Sequence, residues 1–244
     1  MNGGLPGTAD LLFTKSDFMN AQAKTSFIDL FPLFSVLSTE DKMMLAERME
    51  HRVVKKYNFV YLPGDASDHI YFLAKGTIKI GTHSSDGKEI IKSLIHPTAM
   101  FGELGLIGEQ HRKDFAQALK EDVHLYEIKV EDMKELMRHC FDLCSSVMNS
   151  FGGRLMRAEN KLESLIFKDA RTRIIEFIKD SVEKRGRRVG YEMLLKHSLT
   201  HQDIANITCT SRQTVTLVLN ELKKSDLIYF NRGKILVRDM AKLA

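Results

Sequence analysis

The side chains best suited to chemistry lie on a helix predicted to follow Ser211. Serine is a favoured N-cap residue, so a helix is expected to begin there. Apolar residues then recur at i, i+3, i+4 and i+7, which predicts one buried helix face formed by Val215, Val218, Leu219 and Leu222. The opposite face carries side chains that can hydrogen-bond, and none is acidic: Arg212, Gln213, Thr214 and Thr216. Such a face suits the edges of nucleic-acid bases.

A shorter helix is predicted just before this one. Thr200 with Asp203 three residues later is a helix-start pattern, because the hydroxyl can accept a first-turn amide while the carboxylate reaches back. Residues 208–210 are poor at continuing a helix and predict a turn. In a helix-turn-helix the second helix enters the major groove, where Arg212 is expected to contact guanine. The residues expected to contact DNA are Thr200, His201, Ser211, Arg212, Gln213, Thr214 and Thr216.

The spacing alone would equally allow two crossed helices in an ordinary core, but a predicted hairpin favours the DNA-binding interpretation. Apolar runs at 227–230 and 234–237 flank Asn231-Arg232-Gly233, a hairpin pattern. A basic hairpin directly after a recognition helix makes a winged helix. Residues 169–244 carry 15 Lys and Arg against 9 Asp and Glu, whereas the remainder has a net charge of −2. This basic excess suits attraction to phosphates.

Length and composition bound the remaining possibilities. A chain of 244 residues suits one large or two modest domains, and its 43% apolar share is ordinary for a globular protein. No apolar run approaches the roughly 18–20 residues of a membrane span. Residues 1–24 lack the charged and apolar regions of a signal peptide, so a disordered start is expected. Three cysteines without a CxxC motif argue against a disulfide framework, and a cytoplasmic location is expected.

The middle of the chain has the pattern of an antiparallel β structure. Between residues 53 and 128, turn sequences such as Pro63-Gly64-Asp65 and Asp86-Gly87 separate short β-prone runs. These runs cover residues 59–62, 70–74, 78–80, 90–95 and 125–128. Short strands with Asp-Gly and Pro-Gly turns predict a barrel or jelly roll.

A long helix with a coiled-coil pattern is predicted next. Its apolar seam has residues at alternating spacings of four and three: Cys144, Met148, Phe151, Leu155, Ala158, Leu162 and Leu165. A helix with such a seam needs a partner, and a second copy of the chain is the simplest one. Packing of the seam against the β roll is the alternative. Phe167-Lys168-Asp169 is expected to form a hinge, with Asp169 capping the following helix.

A β roll, a dimerising helix and a winged helix in this order resemble the Crp/Fnr superfamily of bacterial transcription regulators. The resemblance runs from about Phe31 to the C-terminus, and its best-matching segments are 101–106 (FGELGL) and 208–223. The first resembles the phosphate-binding segment of cyclic-nucleotide domains. By resemblance, Gly102 amides and Arg112 would meet a phosphate, and Glu103 would accept from a ribose hydroxyl. The ligand-binding residues so implied are Gly102, Glu103, Leu104, Arg112 and Lys113.

Several residues depart from the family's pattern. Lys113-Asp114 stands where members that bind cyclic AMP usually have Ser/Thr-Ala, and Ala158-Glu159 stands where hydroxyls would meet the adenine. Cyclic AMP is therefore not the expected effector, which leaves another nucleotide-like or anionic ligand, or none. Leu217 replaces a second base-contacting arginine, so the preferred DNA site should differ from the TGTGA half-site. Cys209 occupies a turn position where glycine is usual.

The expected fold class is α+β, and the chain divides into four parts. These are a disordered N-terminus (1–24), an effector-sensing jelly roll (25–136), a dimerisation helix with its hinge (137–168) and a winged helix-turn-helix (169–244). The expected partners are double-stranded DNA with a palindromic operator, a second copy of the chain and RNA polymerase, and no membrane.

Two other functions are alternatives to a DNA-binding regulator. A metal-dependent enzyme built on the roll would need clustered ligands, typically His-x-His with a later Glu and His, and the scattered histidines do not show that spacing. A cyclic-nucleotide module serving a channel or kinase would come with a membrane span or a kinase motif. Neither is present, and neither alternative explains the winged helix.

Overall fold

Two antiparallel sheets form a roll in the first part of the chain, in a computed structural model that describes residues 21–243. One sheet has the strand order β1-β8-β3-β6 and the other β2-β7-β4-β5. The strands are β1 (Glu50–Val54), β2 (Phe59–Tyr61), β3 (His69–Lys75), β4 (Ile78–His83), β5 (Glu89–Ile95), β6 (Met100–Phe101), β7 (Phe115–Ala118) and β8 (Val123–Lys129). Apolar side chains from both sheets meet in one core. The predicted antiparallel roll is confirmed.

Three strands, β1, β6 and β7, lie outside the β-prone runs of the sequence. Most of β1 is polar, and it contributes only Val54 as a fully buried residue. Alanine-rich β7 (FAQA) has little β propensity, yet it lies inside its sheet and pairs with both β2 and β4. Tertiary pairing, rather than local preference, places β7 in the sheet.

Helices cover the outer face of the first sheet. They are α1 (Ala21–Ile28), α2 (Thr39–Arg48), α3 (Val130–His139) and the start of α4 (Phe141–Phe167). Phe27, Phe34 and Leu136 from these helices and their linker pack with Phe72 and Tyr126 of the sheet. Helix α1 begins at Ala21, inside the segment expected to be disordered, and the rest of that prediction, residues 1–20, lies outside the described residues.

The long helix is α4, and it begins later than the boundary at residue 137 suggested. Residue 137 belongs to α3. Cys140, whose backbone is extended (φ −124°, ψ 98°), separates α3 from α4. Helix α4 runs for 27 residues and ends at Phe167. Lys168 is extended, and the Asp169 carboxylate accepts a 2.7 Å hydrogen bond from the Thr172 amide as N-cap of α5 (Ala170–Arg185). The predicted break at 167–169 and its cap are confirmed.

A second compact unit follows the break. Helices α5, α6 (His201–Thr208) and α7 (Arg212–Lys224) pack against a sheet with the order β11-β12-β10-β9. Its strands are β9 (Arg187–Val189), β10 (Glu192–Lys196), β11 (Ile228–Asn231) and β12 (Lys234–Val237). The β11–β12 hairpin is the wing that the sequence predicts. Leu94 and Leu119 of the roll pack into this unit's core, so the two units share an apolar contact.

None of the helices between residues 21 and 243 combines the length and the apolar character that crossing a bilayer requires.

Candidate functional site: nucleic-acid interface and ligand cleft

Side-chain caps fix both helices of the helix-turn-helix. The Thr200 hydroxyl accepts from the Asp203 amide at 3.0 Å, and the Asp203 carboxylate accepts from the Thr200 amide at 2.7 Å. Ser211 caps α7 by accepting from the Thr214 amide at 3.0 Å. Both predicted helix starts are confirmed. Such caps satisfy amides that the first turn of a helix leaves without partners.

The turn between the two helices is held by Arg173, which no sequence pattern predicts as a functional residue. Cys209, in the turn position where glycine is usual, has a left-handed backbone (φ 51°, ψ 54°). Arg173 of α5 donates from Nε to the Thr208 carbonyl at 3.0 Å and from Nη2 to the Cys209 carbonyl at 3.1 Å. Its Nη1 donates to the carbonyl of Lys168, in the break before α5, at 2.6 Å. One guanidinium therefore bridges the interhelix turn and the hinge, and no local pattern marks it.

The exposed start of α7 carries the side chains available for base contact. Arg212 and Gln213 are exposed, and Leu217 further along the helix is 63% exposed. The Thr216 hydroxyl donates to the Arg212 carbonyl at 2.9 Å and lies 3.0 Å from His201 Nδ1. Of the residues expected to contact DNA, His201 and Thr216 thus also join α6 to α7. In this arrangement Arg212 borders a cavity of about 580 Å³ that it shares with the β4–β5 hairpin.

A large cleft lies between the roll and α4. It encloses about 1260 Å³ and is bordered by six basic side chains and two carboxylates: Lys92, Arg112, Arg154, Arg157, Lys161 and Lys184, with Glu109 and Asp114. Lys161 of α4 donates to the Ile91 carbonyl at 3.1 Å, and burial lowers its pKa. The excess of positive charge suits an anionic ligand.

Arg112 lies at the bottom of this cleft and is 3% exposed. Its Nη1 donates to the Gly102 carbonyl at 2.7 Å, its Nη2 donates to the His69 carbonyl, and its guanidinium carbon lies 4.5 Å from the centre of the Tyr61 ring. Gly102 is left-handed (φ 75°), and a Cβ there would lie 2.8 Å from the Tyr71 ring, so the position requires glycine. Nε of Arg112 has no hydrogen-bond partner among the described residues.

Glu103 is 1% exposed and forms an ion pair with Arg154 of α4. Burial raises the pKa of Glu103 above its ordinary value, against the opposing effect of Arg154. One oxygen, Oε2, has no partner among the described residues. The family resemblance implies that Glu103 accepts from a ribose hydroxyl; in the structure its carboxylate connects the roll to α4.

The other predicted ligand residues divide between the cleft and the surface. Leu104 and Ala158 border the cleft, whereas Lys113 is exposed and is not among its lining residues. Asp114, the carboxylate beside the predicted phosphate site, does not pair with Arg112. Asp114 instead accepts from Lys92 of β5 at 3.3 Å, and the carboxylate that pairs with Arg112 is that of Glu109, whose Oε2 lies 3.8 Å from Arg112 Nη1.

The apolar seam on α4 is divided. Phe151 packs against the core beneath α1–α3, and Cys144 is half-buried. Further along, Leu155 and Leu162 are 61% and 59% exposed, and Met148 and Leu165 are also exposed. Packing on the roll therefore accounts for the first part of the seam only, and the larger exposed part has no partner within the described residues of the chain.

The Glu103–Arg154 pair gives a pH-dependent prediction. We expect Arg154→Gln to lower the unfolding free energy by about 2 kcal/mol near pH 7.5, below the roughly 3–5 kcal/mol of a fully buried pair because Arg154 is partly exposed. A folded pKa raised above the unfolded value, as at Glu103, favours folding at low pH, and this contribution is lost as the pH rises through the folded pKa. Removing Arg154 raises that pKa further. The loss should therefore be smaller near pH 5 than near pH 7.5, because Glu103 takes up a proton more readily in the variant.

Urea unfolding of both proteins at the two pH values measures this difference. Arg154→Gln on a Glu103→Gln background is the control, because a neutral amide at position 103 should make the effect of the second substitution independent of pH. An equal loss at both pH values with Glu103 intact would show that the pair does not carry the effect.

Family models match both units of the chain. A model described as a cyclic nucleotide-binding domain matches residues 51–140, and one described as a Crp-like helix-turn-helix domain matches residues 172–244. The two matches coincide with the roll, including all of α3, and with the winged-helix unit. Of the described residues, no group of three or more His, Cys, Asp or Glu side chains lies so as to hold a metal ion.

Curated relatives extend over most of the chain. A "Global nitrogen regulator" of Synechocystis sp. is 26% identical over 186 residues, which are 76% of this chain and 83% of that protein. A "Cyclic AMP receptor protein" of Thermus thermophilus is 27% identical over 212 residues, which are 87% of this chain and 94% of that protein. Among solved structures, FixK2 from Bradyrhizobium japonicum has a TM-score of 0.72 at 19% identity, covering 80% of this chain and 95% of that one, and supports the fold.

The α+β architecture, the family models and the relatives agree on one kind of protein, a DNA-binding regulator that carries a cyclic-nucleotide-binding-like domain. The family consists of transcription regulators and not of enzymes. The chain belongs to the Crp/Fnr family of bacterial transcription regulators.

Proposed function

We propose that this regulator acts as a homodimer that binds a palindromic operator with two copies of α7 and responds to an anionic effector other than cyclic AMP. The exposed apolar row on α4 is the observation that best supports a dimer. Leu155 and Leu162 each leave more than half of their surface in water within one chain, although they lie in an unbroken heptad pattern. Burial against a second α4 would remove that surface from water.

A symmetric dimer places its two recognition helices so that they meet successive turns of DNA. Half-sites then lie about 34 Å apart, and the operator repeats the symmetry of the protein. Arg212 is the side chain that we assign to guanine, with Gln213 at a neighbouring base. Basic wing residues, Arg232 and Lys234, suit phosphate contacts that position the unit without selecting a sequence. Because bacterial DNA lies in the cytoplasm, the protein is placed there, and RNA polymerase is the partner through which a bound regulator would act.

The cleft residues support an effector with more than one negative group. Arg112 and Arg154 approach the cleft floor from the roll and from α4, and Lys161 and Arg157 follow along the helix. Ala158 offers no hydroxyl to a base, and Asp114 adds a carboxylate beside the predicted phosphate site. A relative named for cyclic AMP shows that related chains take this ligand, but these residues argue against it here.

The dimer is tested by Leu155→Lys. Since Leu155 is exposed within one chain, the variant should fold, but a lysine in a coiled-coil interface would be buried without a partner. We expect a monomer in analytical ultracentrifugation and loss of operator binding. The control is Asn160→Lys, which adds the same charge to an exposed position of α4 outside the seam. A Leu155→Lys variant that stays dimeric would show that α4 packs elsewhere.

Base contact is tested by Arg212→Ala. Each bidentate arginine–guanine contact is worth about 1–3 kcal/mol, so a dimer should lose about 2–6 kcal/mol of specific binding. Affinity for random DNA should fall far less, because other basic residues still contact phosphates. Operators selected from random sequences, followed by gel-shift titration, provide the measurement. Lys224→Ala, which removes an exposed charge at the far end of α7, is the control. Equal losses on operator and random DNA would exclude Arg212 from base contact.

The effector is tested with cyclic AMP itself. We expect a Kd no tighter than about 0.1 mM, because each missing hydrogen bond costs about 1 kcal/mol and a tenfold change in affinity corresponds to about 1.4 kcal/mol. Asp114→Ala with Lys113→Ser should tighten binding about tenfold, since the carboxylate is removed and Lys92 is released from it. Calorimetric titration measures both, with Glu47→Ala as a control carboxylate on α2. Micromolar binding to the unmodified protein would contradict the assignment.

A further inference from the structure

A smaller pocket lies where the roll meets the winged-helix unit. It encloses about 290 Å³ and is separate from the ligand cleft, with which it shares only Leu94. His96, just after β5, borders it from the roll. Arg185, the last residue of α5, and His197, just after β10, border it from the other unit. We call this cavity the interdomain basic pocket.

The charges around this pocket are not balanced by the protein. Arg185, Lys196 and Lys234 border it, against a single carboxylate, Glu121. Neither Arg185 nor Glu121 has a hydrogen bond or ion pair from its side chain among the described residues. The nearest candidate for Arg185, Asp180 on the same helix, pairs with Lys184 at 2.6 Å. A half-buried guanidinium thus borders the cavity, and no carboxylate of the described residues pairs with it.

The two histidines add hydrogen-bond donors from opposite sides. His197 Nδ1 accepts from the Leu199 amide at 3.2 Å, so the neutral ring carries its proton on Nε2. Burial and the neighbouring basic side chains lower the pKa of His197, and burial lowers the pKa of His96 to about 4. Both rings are therefore neutral near pH 7, and each offers one N–H to a ligand. The His197 amide also donates to the Gly233 carbonyl at 2.9 Å, which ties this residue to the wing.

We infer that the interdomain basic pocket binds a small dianion with the chemistry of a phosphate, held by Arg185 and by the N–H groups of His96 and His197. A planar guanidinium matches two oxygens of such an ion, and the exposed Lys196 and Lys234 add long-range attraction. The volume, at the lower end of ligand cavities, suits free phosphate or a short phosphomonoester. Because the ligand would contact residues of both units, binding favours this arrangement of the roll and the winged helix.

Inorganic phosphate at constant ionic strength is the first probe, with chloride as the compensating anion and glycerol 3-phosphate as the phosphomonoester. We expect saturable calorimetric binding with a Kd of about 1 mM or tighter. In ¹H–¹³C spectra of the full chain, the ring signals of His96 and His197 should shift with the same Kd. If only glycerol 3-phosphate saturates, the ligand is a phosphomonoester, and if both do, the phosphoryl group alone is recognised; both results support the site.

Arg185→Gln should weaken phosphate binding at least about tenfold. The control is Arg187→Gln, the same change two residues away at an exposed position of β9, and it should leave the Kd unchanged. Arg154→Gln distinguishes the ligand cleft, because phosphate bound there would be lost in that variant and retained in Arg185→Gln. That pattern would overturn the inference, as would the absence of saturation up to about 10 mM phosphate in the unmodified protein.

Two further outcomes keep the test decisive. If Arg185→Gln does not fold, the histidine shifts of the unmodified protein decide the matter, since binding in the cleft would leave His96 and His197 unchanged. Shifts of His96 caused by operator DNA and not by phosphate would assign the basic residues to DNA and contradict the inference. Neither result depends on the dimer or on the effector proposed above.

Discussion

The buried ion pair between Glu103 and Arg154 is the interaction on which the working arrangement depends. A carboxylate that is almost wholly removed from water stays charged only beside a positive partner, and that partner comes from α4. The pair therefore ties the turn that begins at Gly102 to the helix with the exposed apolar row. A ligand that draws Arg154 away from Glu103 would change the free energy of both at once. The turn at Gly102 and the position of α4 thus depend on one charge.

The features that sequence could predict are those held by neighbouring residues. Thr200 with Asp203, Ser211 with Thr214, and Asp169 with Thr172 all bond within three residues, so their types alone indicated where helices begin. The order of roll, long helix and winged unit likewise followed from hydrophobic period and turn residues.

The features that escaped prediction join residues far apart in the chain. Arg154 reaches Glu103 across 51 positions, Lys92 reaches Asp114 across 22, and Arg173 reaches Cys209 across 36. Residue type gives no sign of such pairs, because an exposed arginine and a bridging one look alike in sequence. Strand β7 was not predicted for a related reason. Its conformation is determined by pairing with a strand on each side, and not by the weak β propensity of its alanines. The position of Glu103 inside the roll, and not its identity, determined its partner.

The three carbonyls bound by Arg173 have a mechanical consequence. Two belong to the turn between α6 and α7, and the third, that of Lys168, belongs to the break between α4 and α5. Torsion at the break that carries the Lys168 carbonyl out of range removes one of three bonds from the guanidinium and loosens the turn that orients α7. The angle between the two units and the order of the start of α7 are then coupled, so a small rotation at the break would disorder the exposed face of α7 without displacing the helix.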